Sequence, residues 1–237
     1  MHYVMSDIHG DMNAFAKIMS MIDLQRNDRL YILGDVIDRG EYGIELLQTI
    51  RDIPNCTLLM GNHEYMMINA LRNPDKKRLM RIWENNGCDH TYASFKVLSE
   101  EQQEEMLVYL ESLPIQIEIT VDGDTYILVH AAPKELFEAE NWKYKTKKEF
   151  SLWHRITKYA VMPEGKTVIF GHTPTKMLYY SYDKRMHIFR DTGCIAIDCG
   201  CSYYGFGGQL GCLRIEDMTA FYSLDGIMKV QDISDEV

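Results

Sequence analysis

The 237-residue sequence lacks any apolar run approaching the roughly 20 residues needed to cross a bilayer. Its N-terminus has no positively charged region followed by an apolar stretch, so a secretory signal is not predicted and we expect a cytoplasmic protein without a membrane partner. No Pro-, Gly- or Ser-rich linker, low-complexity segment or fixed-period repeat divides the chain. These absences favour a single domain over residues 1–237.

Basic residues are scarce relative to acidic ones. Lysine and arginine total 25 against 35 aspartates and glutamates, which gives a formal net charge of −10. Duplex nucleic acid requires a broad basic surface, so this charge argues against such a partner. The local exception is the lysine-rich stretch 143–148. We interpret it first as a solvated face and second as a basic flank that attracts anionic substrates.

Cysteine pairs with metal-binding spacing are also missing. The six cysteines include no C-x-x-C pair, and Cys199-Gly200-Cys201 is tighter than the usual zinc spacing. Several lie in apolar runs, where a free cysteine behaves as a small core residue. We therefore expect structural cysteines rather than a disulfide framework.

Strand-like apolar runs that end at possible metal ligands are the main positive feature of the chain. Five such runs lead into Ser6-Asp7-Ile8-His9, Gly34-Asp35, Gly61-Asn62-His63, His130 and Gly171-His172. In an open α/β sheet, ligands collect at the carboxyl ends of the strands. Aspartate, asparagine and histidine are ligands that manganese, iron or zinc accept. The pattern predicts a two-metal hydrolase.

Hydrophobic periodicity predicts the secondary structure between these motifs. Residues 2–60 follow a strand, helix, strand, helix, strand order, typical of parallel βαβ units. The middle is predicted to be mainly helical, with helices over Tyr65 to Leu71, Pro74 to Asn85 and Ser99 to Leu113, the last preceded by a capping-box signature. A β-hairpin over 115–129 follows. The last third alternates short strands with turns, and we expect it to be largely antiparallel.

The residue types within the motifs suggest how two ions are held. Asp7 and His9 flank one residue in an expected extended turn, so both side chains can face the same way. A carboxylate at Asp35 can offer one oxygen to each of two ions. The shell of the second ion would be completed by Asn62, His130 and His172. Glycine in three of the motifs permits sharp turns or close backbone approach.

Three of these motifs are specific enough to suggest a family. The segments Asp7-Ile8-His9-Gly10-Asp11, Gly34-Asp35-Val36-Ile37-Asp38-Arg39-Gly40 and Gly61-Asn62-His63-Glu64 resemble the calcineurin-like metallophosphoesterases. More narrowly, they resemble the phosphoprotein-phosphatase branch, which includes bacterial and phage serine/threonine phosphatases. The resemblance continues through Val129-His130-Ala131, Gly171-His172-Thr173 and Ile197-Asp198-Cys199-Gly200. It implies an α/β fold: a β-sandwich of two mixed sheets flanked by helices, with a mainly helical insertion in the middle.

The resemblance also implies a ligand set. One divalent ion would be held by Asp7, His9 and the bridging Asp35, and the other by Asp35, Asn62, His130 and His172. Manganese is the first expectation for both ions, with iron or zinc as alternatives. A hydroxide that bridges the ions would attack phosphorus directly, without a covalent enzyme intermediate.

Residues beside these ligands receive roles from the same resemblance. Arg39 would grip the phosphoryl oxygens, for which a guanidinium fork is well matched. Arg155 is the candidate second arginine, and Asn62 is a further candidate substrate contact. His63, oriented by Asp38, would donate a proton to the departing alkoxide.

Two substrate classes fit the motifs. The first hypothesis is phosphoserine or phosphothreonine in proteins. The alternative is a dinucleoside polyphosphate such as diadenosine tetraphosphate, because both present a tetrahedral phosphoryl group to the same ions. A catalytically inactive scaffold is less favoured, since the ligand candidates, the acid and at least one arginine are present. Core packing and substrate contact both stay open for Tyr203, Tyr204 and Phe206, and the oligomeric state is left open.

Overall fold

Parallel strand pairing begins at the N-terminus of the computed structural model, which describes residues 1–141, 143–157, 160–178 and 185–230. Strand β1 (His2–Met5) pairs in parallel with β2 (Arg29–Ile32), and β2 pairs in parallel with β3 (Cys56–Leu58). Helix α1 (Met12–Ile22) connects β1 to β2, and α2 (Gly43–Arg51) connects β2 to β3. The predicted alternation of strands and helices is confirmed.

Four helices follow β3: α3 (Asn62–Arg72), α4 (Lys77–Glu84), α5 (Asp89–Lys96) and α6 (Glu100–Glu111). Sequence periodicity predicted three and missed α5, because this eight-residue helix buries only two side chains, Thr91 and Phe95. The predicted starts of two helices were wrong, since α3 begins three residues earlier and α4 three residues later. The capping box between Ser99 and Gln102 is confirmed at the start of α6. We call residues 65–113 the helical insertion.

The second sheet starts with the predicted hairpin. Strands β4 (Gln116–Val121) and β5 (Asp124–Val129) pair antiparallel across Asp122 and Gly123, both with positive φ. After helices α7 (Phe137–Glu140) and α8 (Lys147–Trp153), strand β6 (Lys166–Phe170) pairs in parallel with β5. Strand β7 (Phe189–Asp191) lies at the edge, antiparallel to β8 (Cys194–Ala196), and β8 is parallel to β6.

The chain then returns to the first sheet. Strands β9 (Gly211–Arg214), β10 (Thr219–Tyr222) and β11 (Gly226–Lys229) are antiparallel, and β9 pairs with β1. The sheet orders are β11-β10-β9-β1-β2-β3 and β4-β5-β6-β8-β7. The expectation of a largely antiparallel end is confirmed for β7 and for β9–β11 and is wrong for β6, which pairs in parallel with both β5 and β8. The helical crossover after β5 permits the parallel pairing of β6 with β5.

An apolar core between the two sheets holds them face to face. It contains Val4, Leu33 and Leu213 on one side and Leu128 and Ile169 on the other, all fully buried. The neighbours of Val4 in β1, Tyr3 and Met5, belong instead to the core beneath the helices, as the alternation of strand side chains requires. The fold is therefore an α/β sandwich of two mixed sheets flanked by helices, as predicted.

In the described ranges, no helix combines the length and the apolar character needed to cross a membrane. The assignment of residues 1–237 to one domain stays a prediction, and its last seven positions, 231–237, lie outside the described residues.

Candidate metal centre

Backbone hydrogen bonds join the loops at the carboxyl ends of four strands. The Asp7 N–H donates to the Gly34 carbonyl (3.1 Å), and the His9 N–H donates to the Asp35 carbonyl (3.0 Å). The Gly171 N–H donates to the His130 carbonyl (2.8 Å), which links the loops after β5 and β6. The His130 ring lies 2.8 Å from the Leu33 carbonyl oxygen and joins the two sheets. The strand-end residues singled out in the sequence therefore meet at one edge of the sandwich.

Several of these residues have an unusual backbone conformation. Asp7, His9, Asp35 and His172 have φ values of 53°, 49°, 52° and 62°. The expected extended turn at residues 7–9 is therefore wrong, because two of its residues are left-handed. Positive φ in residues with a side chain costs free energy and concentrates at functional sites. Here the turn aims both side chains inward, and His9 Nε2 lies 4.0 Å from Asp7 Oδ1.

Asp35 lies between two groups of imidazoles. Its Oδ2 is 3.8 Å from His9 Nε2 and 3.8 Å from His63 Nε2, whereas its Oδ1 is 3.5 Å from His130 Nε2. Donor atoms of Asp35, His130 and His172 lie within 4.8 Å of one another, as do those of His9, Asp35 and His63. The two carboxylate oxygens thus face different donors. Imidazole and carboxylate donors fit divalent manganese, iron or zinc.

Hydrogen bonds from Nδ1 of His9 and His130 to backbone carbonyls determine which ring nitrogen of each can bind metal. His9 Nδ1 lies 3.1 Å from the Ile37 carbonyl oxygen, and His130 Nδ1 faces that of Leu33. A carbonyl can only accept, so the Nδ1 atoms carry the protons and the Nε2 atoms can coordinate. In this tautomer His130 Nε2 and Asn62 Oδ1, 2.8 Å apart, both present lone pairs, as two ligands of one cation would; the His172 backbone N–H donates to Asp7 Oδ2 (3.0 Å). The structure therefore brings all six predicted ligands together.

Charge is concentrated in this small buried volume. Burial raises the pKa of Asp35 well above its ordinary value, and the neighbouring Asp7 and Glu64 carboxylates raise it further. Burial likewise lowers the pKa of His9 and of His172 well below the ordinary value. Crowded carboxylates that face neutral imidazoles favour a bound cation, whose charge offsets the repulsion.

Asp198 is a buried carboxylate to which the sequence assigned no role. It follows β8 and lines the same cavity as Asp7 and Asp35. Its Oδ1 accepts from the Gly200 N–H (2.8 Å), and burial together with Asp7 raises its pKa well above the ordinary value. The signal that could have found it is the one used for the other motifs, an aspartate that follows an apolar strand.

Glu64 was also missed as a functional residue, although it belongs to a recognised motif. It is fully buried, and its Oε2 accepts from the N–H groups of Asp35 (2.9 Å) and Gly61 (3.0 Å). Its Oε1 accepts from the Val36 N–H (2.9 Å). A Cβ at residue 61 would lie 2.2 Å from Asp35 Oδ1, so only glycine fits there. Glu64 thus ties the loop that carries Asp35 to the loop that carries Asn62.

The predicted pair of Asp38 and His63 is present in the structure. Asp38 Oδ2 lies 2.7 Å from His63 Nδ1 and accepts from Trp83 Nε1 at 2.8 Å. The Asp38 backbone N–H donates to Thr91 Oγ1 (2.9 Å). Burial raises the pKa of Asp38 to about 7, and burial with the nearby Arg39 lowers that of His63. The contacts from Trp83 and Thr91 were not predicted.

Arg39 reaches across the cavity mouth. Its Nη2 lies 3.2 Å from His63 Nε2, and its Nη1 donates to Ser202 Oγ (3.1 Å) and the Tyr203 hydroxyl (3.3 Å). A guanidinium has no acceptor, so His63 Nε2 accepts in this arrangement. The remaining ring proton is then on Nδ1, facing Asp38.

Arg155, which follows α8, lines the same cavity. Its Nη1 donates to Met177 Sδ at 3.7 Å, a weak acceptor. The cavity has a volume of about 320 Å³. Its walls include the residues Asp7, His9, Asp35, Arg39, Asn62, His63, Lys143, Tyr144, Trp153, Arg155, His172, Asp198 and Tyr203. Every predicted site residue except Asp38 and His130, which lie behind this surface, therefore contributes to one wall.

The structure bears on two interpretations that the sequence left open, those of the lysine-rich stretch 143–148 and of the aromatic residues within 203–206. Lys143 lines the cavity, whereas Lys147 pairs with Glu138 at 3.7 Å on the surface. Tyr203, Tyr204 and Phe206 are 40%, 47% and 70% exposed, so core packing is excluded for all three, and Tyr203 lines the cavity.

Comparisons with known proteins agree with this architecture. The family model for calcineurin-like phosphoesterases matches residues 3–203. Serine/threonine-protein phosphatase 2 of Escherichia coli is 32% identical over 132 residues, 54% of this chain and 57% of that protein. The symmetrical bis(5'-nucleosyl)-tetraphosphatase of Erwinia tasmaniensis is 29% identical over 93 residues, 37% of this chain and 34% of that protein. The matches thus span about half or less of those relatives.

Solved structures resemble the fold over nearly its full length. A putative diadenosine tetraphosphatase has a TM-score of 0.63 at 16% identity and covers 93% of this chain and 91% of its own. A metallophosphoesterase from Sphaerobacter thermophilus has a TM-score of 0.53 at 20% identity and covers 99% and 90%. The family model covers most of the sequence, including every motif on which the resemblance was based. The chain therefore belongs to the calcineurin-like phosphoesterase family.

Proposed function

We propose that this protein is a binuclear metal-dependent phosphatase that hydrolyses phosphomonoesters, with phosphoserine or phosphothreonine in proteins as its substrate class. The observation that carries the proposal is the position of Asp35, whose two oxygens face separate imidazole groups in a cavity that also holds two arginines. Relatives named as a serine/threonine phosphatase and as bis(5'-nucleosyl)-tetraphosphatases support the general class.

The proposed ligands are those that the motifs suggested. Asp7, His9 and Asp35 would hold one ion, and Asp35, Asn62, His130 and His172 the other, with Mn²⁺ first and iron or Zn²⁺ as alternatives. When bound, such ions polarise phosphoryl oxygens and lower the pKa of the attacking water. His63 Nε2 lies near Asp35 and could in principle bind metal, but Nδ1 of this ring contacts Asp38 and Nε2 contacts Arg39. We therefore assign it to proton transfer and not to metal binding.

The two arginines would bind the phosphoryl group. In the structure Arg39 donates to a hydroxyl pair at the cavity mouth, and the sulfur contact of Arg155 is weak. Phosphoryl oxygens are stronger acceptors than these partners, because their hydrogen bonds to a guanidinium are charge-assisted. Both side chains can therefore turn to the substrate without breaking a buried ion pair with any residue that the structure describes.

His63 would give its proton to the leaving oxygen. Once Arg39 turns to the phosphoryl group, His63 Nε2 no longer faces a donor and can itself carry a proton. Burial and Arg39 oppose the charged form of His63, so the carboxylate of Asp38 at Nδ1 is what stabilises it. The two residues act as one unit in this scheme.

A second candidate substrate is a dinucleoside polyphosphate, and the cavity lining favours it specifically. Three cations, Arg39, Lys143 and Arg155, and the aromatic rings of Tyr144, Trp153 and Tyr203 share the cavity walls. A polyphosphate chain would use the additional charge, and a nucleobase would stack on an aromatic ring.

A direct rate comparison tests both candidates. Metal-free protein is loaded with Mn²⁺ and supplied with a phosphoserine peptide or with diadenosine tetraphosphate at equal concentrations. We expect faster hydrolysis of the peptide, measured as released orthophosphate. A higher kcat/KM for the dinucleotide would select the second candidate. Metal-loaded protein that hydrolyses neither these compounds nor nitrophenyl phosphate would instead identify an inactive scaffold.

We also infer a cytoplasmic location. All six cysteines are free, and five of them are buried. Free thiols persist in the reducing cytosol, whereas oxidising compartments favour disulfides. Fractionation of cells that express the full-length chain tests this inference.

A further inference from the structure

Trp83, in α4 of the helical insertion, makes an unexpected contact with the proposed acid pair. It is 0% exposed and is among the largest fully buried side chains. Its indole Nε1 donates to Asp38 Oδ2 at 2.8 Å, the same oxygen that faces His63 Nδ1 at 2.7 Å. One carboxylate oxygen therefore joins a core tryptophan to a histidine in the active-site cavity.

Core packing alone does not explain this geometry. A buried indole N–H requires a hydrogen-bond partner, and a backbone carbonyl would suffice. Trp83 instead donates to a carboxylate that is itself 0% exposed. Hydrogen bonds to a charged acceptor are shorter and stronger than those to a neutral one. With the ionised form of Asp38, the contact is therefore more costly to lose than an ordinary indole hydrogen bond.

Asp38 has few other contacts that could fix its side chain. Among the described residues, its Oδ1 has no hydrogen-bond partner although it is buried. The torsion that rotates a carboxylate is broad and twofold, so one hydrogen bond leaves its plane poorly defined. Two donors on Oδ2, from His63 and Trp83, restrict that rotation. Without Trp83, Oδ2 would keep His63 as its one donor among the described residues, and His63 is the ring that Asp38 is meant to orient.

The surrounding backbone is secured by the same insertion. Asp38 and Arg39 have φ values of 69° and 68°, a conformation that side chains disfavour. The Arg39 N–H donates to the Gly87 carbonyl (2.8 Å), and the Asp38 N–H donates to Thr91 Oγ1 (2.9 Å). Trp83 adds the contact that reaches the side chain, so backbone and carboxylate are held from one side.

We propose that Trp83 is a positioning residue for proton donation: its indole N–H fixes the Asp38 carboxylate, and Asp38 in turn holds the His63 ring towards the leaving oxygen. The inference rests on the proposed function, because it requires His63 to be the proton donor. It adds a residue from the helical insertion to the set supplied by the strand-end motifs.

The test is Trp83→Phe, which removes the N–H and keeps an aromatic ring in the core. With Mn²⁺-loaded full-length protein, we expect kcat for a phosphoserine peptide to fall about tenfold, a fraction of the effect of a complete general acid. Nitrophenyl phosphate, whose leaving group needs no proton, should lose less than about twofold. Equal losses on the two substrates would show a structural role only and would overturn the inference.

Two companion variants separate positioning from packing. Phe95→Leu changes a buried ring in the same core that has no N–H to donate to Asp38. It should lower the melting temperature while the ratio of the two rates stays constant. In a His63→Asn background, Trp83→Phe should cause no further change in that ratio. A further tenfold loss on the peptide in that background would contradict the proposed route through His63.

The role of Trp83 and the phosphatase activity give different outcomes in these variants. If Trp83→Phe does not fold, benzothienylalanine at position 83 retains the bicyclic shape, removes the N–H and should give the same selective loss. Wild-type protein without phosphatase activity would reject the proposed function itself. Active wild-type protein with a leaving-group-dependent His63→Asn variant and an unselective position-83 variant would reject only the role of Trp83.

Discussion

The strand-end loops and the helical insertion contribute to one cavity in different ways. The loops carry the metal-ligand candidates within short motifs, and several of those residues have left-handed backbones. The insertion supplies no ligand candidate, yet it contacts Asp38 and Arg39 through Trp83, Gly87 and Thr91. The comparison suggests that the loops determine which chemistry is available, whereas the insertion determines the orientation of the residues that surround it.

Removal of the central carboxylate of the loops should have the largest effect. Asp35→Asn keeps the size of the side chain and tolerates the positive φ. It removes the negative charge of the carboxylate whose two oxygens face His9 and His130. We expect kcat on nitrophenyl phosphate to fall on the order of 1000-fold, more than the 10–100-fold typical of groups behind metal ligands. Metal content of the purified variant should fall in parallel.

Asp23→Asn is the matched control for that substitution. Asp23 also has a positive φ, but it is exposed at the end of α1, away from the cavity. Its activity and metal content should equal those of wild-type protein. If Asp35→Asn retained the activity of this control, the centre would not depend on Asp35 and the proposed function would be wrong.

His63→Asn tests the residue at which the two regions meet. We expect a loss on alkyl phosphates about 100-fold greater than the loss on nitrophenyl phosphate, because phenolate leaves without protonation. Metal content should be unchanged, since His63 is assigned to proton transfer. Equal losses on both substrates would count against the acid role, and a loss of bound metal would assign His63 to the ligands.

Much of the fold and most of the cavity could be predicted from local sequence. Apolar runs that end at Asp7, Asp35 and His130 located the strand ends, and the capping box located α6. The parallel pairing of β6 and β8 could not be read in this way, because it depends on a crossover between distant segments. The same limit applies to Trp83, whose apolar helix face is compatible with ordinary core packing and whose partner is 45 residues away in sequence.

Glu64→Gln tests how firmly the loops are tied to each other. Glutamine keeps the shape but replaces one acceptor oxygen by an NH₂ group, which then faces backbone N–H donors. We expect metal affinity to fall about 10–100-fold, as for other groups that orient ligands. The free energy of unfolding should fall by about 1–3 kcal/mol, the cost of leaving buried polar groups unpaired.

Metal titration and denaturant unfolding measure these two quantities on the same preparation. Glu105→Gln, on the exposed surface of α6, is the control and should change neither. A Glu64→Gln protein that loses stability but binds metal normally would mean that Glu64 supports the fold without orienting Asp35.

The smallest expected effect concerns the lysine-rich stretch, where position relative to the cavity separates two lysines of the same segment. Lys143 lines the cavity, and Lys147 faces Glu138 on the surface. An exposed charge pair contributes about 0.2–1 kcal/mol, so Lys143→Ala should raise the KM for an anionic substrate by about 1.4- to fivefold and leave kcat unchanged. Lys147→Ala should change neither constant.

Added salt should reduce the difference between the two variants, because screening weakens long-range attraction. Equal KM values for both variants at low salt would assign the entire stretch to a solvated face and would leave the two arginines as the cavity's cations for phosphate.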